Sequence, residues 1–248
     1  MIAKDGAPTH PDRSPVGAVL LDAYGTLVTL DRPAERLGAL LEDAGHPHPP
    51  ARVAAALAAE ISHYRAHMHE GGDPAGLAAL RERCAAVLAA ALGDDVPPPP
   101  RLTSILVRAL RMVALPDAPP ALAALARLGI PVAVVSNWDC GLPDALRAAG
   151  LSRSVAAVCA SAAVGAAKPD PAIFRRALGE LGVPAARAVH CGDHPGADCA
   201  GARAAGVRAV LLDRRGDHSG SPCPRVRDLL ELVEWIKRCN TVTEPARN

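Results

Sequence analysis

The feature that most constrains this fold is a repeated alternation of short apolar runs and helical segments. Four such runs cover 131–135, 155–159, 188–191 and 207–212. A fifth run of the same kind lies near the start of the chain, at 16–21. Continuous apolar runs of this length are typical of parallel strands that are buried on both faces. Their alternation with helices predicts an α/β fold with a doubly wound (Rossmann-like) parallel sheet and right-handed crossovers.

A long helical stretch interrupts this alternation after the first apolar run. Alanine-rich helical patterns cover 33–44, 51–70, 74–92 and 101–113, with Gly- and Pro-rich breaks between them. No strand-like run appears among them, so we predict an inserted all-helical cap. The predicted units are a discontinuous Rossmann-like core at 1–30 and 114–240, a cap at 31–113 and a tail at 241–248.

Composition excludes several classes of protein. Twenty-seven Lys and Arg residues against 26 Asp and Glu leave a net charge of +1. We therefore expect no nucleic-acid partner and no anionic membrane partner, since no global field would attract either. No apolar run approaches the ~18 residues of a membrane span. The seven cysteines are scattered and form no C-x-x-C pair, which indicates reduced thiols and a cytoplasmic protein. The sequence leaves the oligomeric state open.

Polar side chains follow the first two apolar runs where the predicted strands end. Asp22 follows the first run, and Gly25 and Thr26 supply a turn and donor groups around it. Ser136 and Asn137 follow the second run, and a hydroxyl and an amide there can hold an anionic oxygen. Each motif alone is a common turn. Ligands of such sheets bind at the carboxyl ends of the strands, so we expect these residues to share one site.

Two further polar motifs lie in later turns of the predicted sheet. Lys168 is one of only three lysines among 27 basic residues, and it lies before a predicted helix. A lysine in so arginine-rich a chain indicates that a compact point charge is needed there. Asp193 and Asp198 follow the apolar run at 188–191. Carboxylate oxygens beside an anion site suit Mg²⁺, so we predict Mg²⁺ as the cofactor.

Together, these motifs resemble those of the haloacid dehalogenase-like hydrolase superfamily. A carboxylate, a hydroxyl, a lysine and an acidic pair occur in that family's order. Steps of 114, 32 and 25 residues separate Asp22, Ser136, Lys168 and Asp193. The resemblance spans 16–213, and the helical insertion lies where one subfamily carries its small helical cap. It implies that the chain is an enzyme, a hydrolase with a Rossmann-like core.

The resemblance also implies a role for each motif. Asp22 would be the nucleophile that forms a covalent aspartyl intermediate. Thr26 would orient the first motif. Ser136 and the backbone of Asn137 would bind the transferring group, and Lys168 would neutralise charge between Asp22 and the substrate anion.

The same resemblance implies a metal site beside a substrate pocket. Asp22, Asp193 and the main-chain carbonyl of Tyr24 would ligate Mg²⁺, and Asp198 would act on it directly or through a water. Tyr24 and Trp138 flank the first two motifs, so we predict that they form an apolar wall for a sugar or ring-bearing phosphate. Packing of Trp138 under the cap hinge is the alternative interpretation.

The first and fourth motifs point to different branches of the family. The phosphatases carry Asp-x-Asp, whose second aspartate protonates the leaving group. This chain has Tyr24 at that place and so resembles the metal-free 2-haloacid dehalogenases. The fourth motif, with Asp193 and Asp198, instead resembles that of the phosphatase branch. Its two carboxylates would repel Asp22 unless a metal neutralised them.

We give the metal motif more weight and predict Mg²⁺-dependent hydrolysis of a small phosphorylated metabolite through an aspartyl-phosphate. General acid catalysis contributes roughly 10²–10⁴-fold, so its loss slows a phosphatase without forbidding the reaction. A 2-haloacid dehalogenase and a catalytically weak binding or regulatory protein are the alternatives. Four histidines are candidates for the missing acid, namely His63, His67, His69 and His194.

Overall fold

A computed structural model of the protein describes residues 15–241. In this part of the chain the strands are β1 (Ala18–Leu21), β2 (Val28–Leu30), β3 (Met112–Ala114), β4 (Val132–Ser136), β5 (Ala157–Ala160), β6 (Ala188–Gly192), β7 (Arg208–Leu212) and β8 (Arg225–Val226). Six of them form one parallel sheet in the order β5-β4-β1-β6-β7-β8. This sheet with helices around it confirms the predicted α/β, Rossmann-like fold class.

Ten α-helices accompany these strands in the described part of the chain. They are α1 (Pro33–Asp43), α2 (Pro50–His67), α3 (Pro74–Leu92), α4 (Pro99–Ala109), α5 (Ala118–Arg127), α6 (Leu142–Ala148), α7 (Ser161–Val164), α8 (Pro171–Leu181), α9 (Gly201–Ala204) and α10 (Leu229–Thr241). None of the described helices is long and apolar enough to cross a membrane. Helices α1–α4, called the helical insertion below, follow β2. The six-stranded sheet and its flanking helices are called the sheet domain.

The sheet is buried on both faces, which explains its continuous apolar runs. Val19 and Leu21 of β1 pack in one apolar cluster, while Leu20 between them packs in another. Neighbouring side chains of a strand point to opposite faces, so both faces of β1 need apolar residues. The helical insertion has a third apolar cluster of its own, built around residues such as Leu41 and Leu88.

The predicted helix at 101–113 extends too far. Helix α4 ends at Ala109, and Met112–Ala114 forms β3, which pairs antiparallel with β2. The resulting two-stranded ribbon lies at the base of the helical insertion. A strand of three residues is too short to show a period of two, so the sequence pattern could not reveal it. The division into core, cap and tail stays a prediction, and its boundary at 113 falls inside β3.

The strand order brings the polar motifs together. The central strand β1 lies between β4 and β6, and all three run in the same direction. Their carboxyl ends therefore meet at one edge of the sheet, where Asp22, Ser136 and Asp193 lie.

Candidate active site

Asp22 is held at the end of β1 through one oxygen of its carboxylate. Its backbone N–H donates to the carbonyl of Cys191 at 3.0 Å, which continues the pairing of β1 with β6. The Ser136 hydroxyl (2.9 Å) and the Lys168 ammonium (2.6 Å) both donate to Asp22 Oδ1. No group of residues 15–241 donates a hydrogen bond to Oδ2. The carboxylate is thus oriented by Oδ1 and available for attack through Oδ2.

Lys168 is a buried cation that joins two carboxylates. Its Nζ lies 2.6 Å from Asp22 Oδ1 and 2.6 Å from Asp198 Oδ1. Burial alone would lower the pKa of Lys168, but the charges of Asp22 and Asp198 outweigh it and raise that pKa above its ordinary value. Lys168 is therefore charged at neutral pH and neutralises part of the site.

Asn137 positions the main chain of Lys168. Its side-chain NH₂ donates to the Lys168 carbonyl at 3.0 Å, and its Oδ1 accepts the Lys168 N–H at 2.7 Å. The prediction from sequence concerned the backbone of Asn137 as a substrate-binding group. Its side chain has a different role in the structure, because it ties the second motif to the third.

Asp198 is almost completely buried and fully engaged in hydrogen bonds. Lys168 Nζ and His190 Nε2, which lies 2.9 Å away, share its Oδ1, and the backbone N–H of His194 donates to Oδ2 at 2.9 Å. Burial alone would raise the pKa of Asp198. The hydrogen bond from His190 and the charge of Lys168 outweigh burial and hold that pKa well below its ordinary value. Asp198 therefore stays ionised inside the protein.

Sequence reasoning missed His190. This histidine lies in the middle of β6, is fully buried and packs edge-on against Phe174, with ring centroids 5.0 Å apart. A polar residue inside an otherwise apolar run was the available signal. Its hydrogen bond to Asp198 explains its presence, since a buried polar side chain needs a partner.

Asp193 completes a group of three carboxylates. One oxygen from each of Asp22, Asp193 and Asp198 lies within 4.8 Å of the others. Partial loss of hydration raises the pKa of Asp193 to about 6, and the charges of Asp22 and Asp198 add to this effect. Three carboxylates at such distances repel one another and match the hard oxygen donors that Mg²⁺ prefers.

Gly25 allows this approach of Asp193. Its φ of +79° lies in the left-handed region. A Cβ at this position would also lie 2.3 Å from Asp193 Oδ2. The turn after Asp22 therefore requires glycine for two independent reasons.

The remaining predicted site residues lie around the same turn. Tyr24 is 39% exposed, and its main chain pairs with Val28. Thr26 is buried, and its hydroxyl has no hydrogen-bond partner among the described residues, so its role in orienting the motif stays a prediction. Trp138 packs partly against the apolar cluster of the sheet, which supports a packing role, and it also lines a cavity, which supports a role as a pocket wall.

Arg214 supports this turn from the other side, and no sequence signal pointed to it. Its guanidinium donates to the carbonyls of Gly25 (3.1 Å) and Thr26 (3.0 Å). It also forms two hydrogen bonds with the carboxylate of Asp117, at 3.0 and 3.1 Å. The fork geometry of arginine lets one side chain hold two carbonyls and a carboxylate at once.

A cavity of about 610 Å³ lies between the sheet domain and the helical insertion. Tyr24, Asn137 and Trp138 line it from the sheet domain, and Glu60, Tyr64 and Arg81 line it from the insertion. The two parts also touch directly. The Tyr64 hydroxyl donates to the buried carboxylate of Asp139 at 2.7 Å, and the N–H of Cys140 donates to the carbonyl of Gly71 at 2.8 Å.

Comparisons with known proteins agree with this geometry. A family model described as haloacid dehalogenase-like hydrolase matches residues 16–206. A phosphoserine phosphatase of Thermus thermophilus is 43% identical over 124 residues, which are 47% of this chain and 49% of that protein. The chain therefore aligns with about half the length of this relative.

Two solved structures extend the comparison to most of the chain. A HAD phosphatase from Thermococcus onnurineus has a TM-score of 0.63 at 23% identity. The alignment covers 89% of this chain and 98% of the phosphatase chain. A 2-haloacid dehalogenase from Pseudomonas syringae pv. Tomato DC3000 has a TM-score of 0.61 at 26% identity, with coverages of 90% and 99%. The match of the family model to 16–206, together with the clustered motifs, confirms the predicted resemblance: the chain belongs to the haloacid dehalogenase-like hydrolases.

Proposed function

We propose that this chain hydrolyses phosphate monoesters of a small metabolite through an aspartyl-phosphate at Asp22, with Mg²⁺ as cofactor. The observation that carries the proposal is the group of three carboxylates, Asp22, Asp193 and Asp198, around the buried ammonium of Lys168. The name of the Thermus thermophilus relative supports it and makes O-phosphoserine the first substrate to test.

The donor set fits Mg²⁺. Asp22 and Asp193 would each supply a carboxylate oxygen, and Tyr24 would supply its main-chain carbonyl. Both oxygens of Asp198 already accept hydrogen bonds from protein groups, which favours contact with the metal through a water. When bound, Mg²⁺ would neutralise charge on the phosphoryl oxygens.

Asp22 would attack phosphorus through Oδ2, because Ser136 and Lys168 hold Oδ1. A bond forms between Oδ2 and phosphorus while the ester P–O bond breaks, and the leaving oxygen takes a proton from solvent. A water molecule then hydrolyses the acyl phosphate, which releases inorganic phosphate and restores the Asp22 carboxylate. The Lys168 ammonium would stabilise negative charge on the transferring group in both steps.

Three of the four histidines predicted as replacements for the missing acid have other contacts, whereas His69 lies in the short turn Met68–Glu70 and stays a candidate. His194 Nδ1 accepts hydrogen bonds from the backbone N–H groups of Gly196 and Ala197, so this residue caps the following turn. His63 and His67 stack on each other within α2, with centroids 4.2 Å apart. These contacts favour none of the three as the acid. We therefore expect a slow phosphatase that prefers esters with good leaving groups.

The helical insertion would act as a cap over this chemistry. The hydrogen bond between Tyr64 and Asp139, and the cavity on which both parts border, support that role. Closing such a cap excludes water and completes the binding pocket.

A 2-haloacid dehalogenase is the second candidate, and Tyr24 in the first motif favours it. In that reaction Asp22 would attack the halogen-bearing carbon and displace halide, which needs neither a proton nor a metal. The dehalogenase structure with 26% identity adds some support. Against this alternative, Lys168 compensates the charges of Asp22 and Asp198, but without a metal the repulsion between Asp193 and Asp22 would remain.

One experiment separates the two candidates. Phosphate release is measured from O-phosphoserine, sugar phosphates and aryl phosphates, with Mg²⁺ and with a chelator. Halide release from 2-chloropropionate is measured in parallel, and Asp22→Asn serves as the blank. We expect phosphate release that the chelator abolishes and that Asp22→Asn lacks. Halide release that is insensitive to the chelator, without phosphate release, would overturn the proposal in favour of the dehalogenase.

A further inference from the structure

Glu60 is a buried acid that no step of the proposed reaction uses. It lies on α2, is 2% exposed and lines the cavity between the helical insertion and the sheet domain. The Cys84 thiol lies beside its carboxyl group. Its Oε2 has no hydrogen-bond partner among residues 15–241, and no basic side chain in that range forms an ion pair with it.

The position of Glu60 on its helix makes this acid unexpected. Val53, Ala56 and Leu57 are the other buried residues of α2, and they form an apolar stripe that faces the core of the insertion. Glu60 follows Ala56 and Leu57 at helical spacing, where an apolar residue would continue the stripe. A buried carboxyl without a full set of partners is unfavourable, so its presence points to a partner outside the described chain.

The cavity around Glu60 is mostly apolar. Its lining includes Leu30, Ile61, Leu77, Leu106, Met112 and Trp138. Five arginines also line it. Arg65, Arg81 and Arg108 are exposed and form no ion pair with a described residue, whereas Arg36 and Arg111 pair with Asp31. Such a cavity suits a ligand with an apolar carbon skeleton, an anionic group, and one hydrogen-bond donor that can reach Glu60.

We propose that Glu60 recognises an amino group on the alcohol portion of the substrate, so that the substrate class is phosphate esters of amino-bearing alcohols with an apolar skeleton. This inference rests on the proposed function, because the same cavity borders Tyr24 and Asn137 of the first two motifs. An ammonium group would supply both the hydrogen bond and the positive charge that Glu60 lacks. A neutral alcohol of the same size would supply neither.

The wild-type chain provides the first test. Three aryl phosphates with similar leaving groups are compared: 4-(2-aminoethyl)phenyl, 4-(2-hydroxyethyl)phenyl and 4-ethylphenyl phosphate. We expect kcat/KM for the amino ester to exceed that for the ethyl ester by roughly 10- to 100-fold, the range for a hydrogen bond to a charged group. The difference should appear mainly in KM. Equal kcat/KM values for the amino and ethyl esters would overturn the proposal without any variant.

A matched pair of variants assigns the preference to Glu60. Glu60→Gln should raise KM for the amino ester and bring its kcat/KM to within about threefold of the ethyl ester, with kcat unchanged. Glu82→Gln removes the same charge from an exposed position of α3 and should keep the full preference. A purely structural role for Glu60 would instead lower kcat/KM for all three esters by the same factor, which would also overturn the proposal.

The outcome separates this inference from the proposed function. If wild type hydrolyses none of the three esters, calorimetric binding of tyramine and 4-ethylphenol tests the cavity alone, and the phosphate-release experiment above decides the proposed function separately. Tighter binding of tyramine to wild type, lost in Glu60→Gln, would still support amine recognition. Equal affinities for the two compounds would overturn it.

Discussion

Asp198 at the sheet edge and Glu60 in the helical insertion are both buried acids, but their surroundings differ. Asp198 accepts hydrogen bonds from Lys168 and His190, and its pKa lies well below the ordinary value. Glu60 is buried to a similar degree without a basic partner in the described chain, and burial raises its pKa. The first carboxylate is held ionised by the protein itself. In our proposal, the second acquires a compensating charge only from a ligand.

The largest expected effect comes from removing the cation of the first region. Lys168→Met leaves the carboxylates of Asp22 and Asp198 buried without their shared partner. Breaking a buried ion pair in this way costs about 3–5 kcal/mol. Urea unfolding should therefore show a midpoint far below that of wild type. Lys237→Met removes an exposed lysine and should change the free energy of unfolding by less than about 0.5 kcal/mol. Equal effects would refute the special role of Lys168.

Gly25→Ala should disturb the same region through the backbone and the metal site. The added Cβ would meet Asp193 Oδ2, and the left-handed φ adds strain of about 1–2 kcal/mol. Gly216 has the same φ of +79° but nothing within 4 Å of a built Cβ, so Gly216→Ala isolates the backbone strain. We expect Gly25→Ala to be the less stable variant in thermal unfolding and to bind Mg²⁺ more weakly in calorimetry. Identical behaviour of the two variants would show that the approach of Asp193 is unimportant.

Arg214→Gln should lower activity more than stability. The variant loses the hydrogen bonds that hold the carbonyls of Gly25 and Thr26, so Asp22 is oriented less well. Misplacement of a reacting group reduces rates by up to about 10²-fold. We expect kcat to fall by roughly 10- to 100-fold with a smaller change in KM. Arg215→Gln, at the exposed neighbouring position, serves as the control, and an equal loss there would argue against a positioning role.

The smallest effect is expected for the stability of Glu60→Gln, and its sign sharpens the comparison. The pKa of Glu60 in the folded protein lies above its ordinary value of 4.5, so the folded protein binds this proton more tightly than the unfolded chain does. Ionised Glu60 therefore lowers stability as pH rises above 4.5. Without ligand, Glu60→Gln should gain stability relative to wild type between pH 5 and 8 and lose that gain near pH 4. Unfolding curves across this range check the trend, and the opposite slope would contradict it.

Much of the fold could be predicted because it depends on local patterns. The apolar runs at 131–135 and 188–191 correspond closely to β4 and β6, since a strand buried on both faces must be apolar along its length. The start of α3 and its end at residue 92 also agree with the prediction. The pattern failed at 110–113, where α4 has ended and a short strand begins, because propensity over so few residues does not determine which element forms.

The candidate site was predictable in part for the same reason. Parallel strands place their carboxyl ends at one edge, so the motifs after β1, β4 and β6 had to converge. The structure brings Asp22, Ser136 and Lys168 into hydrogen-bonding contact, while their catalytic roles stay predictions. His190 lay inside an apolar run, and a polar residue there was a signal that could have been followed.

The sequence by itself determined the order of strands and helices, the family resemblance and the residues that end each strand, because these depend on neighbours within a few positions. The tertiary structure alone decided which distant groups meet. Arg214 reaches the carbonyl of Gly25 across 189 residues, and Tyr64 of the insertion reaches Asp139 across 75. Only the packing of the two parts against each other creates the cavity that Glu60 lines. Contacts of this kind depend on how whole elements pack, and no local periodicity encodes them.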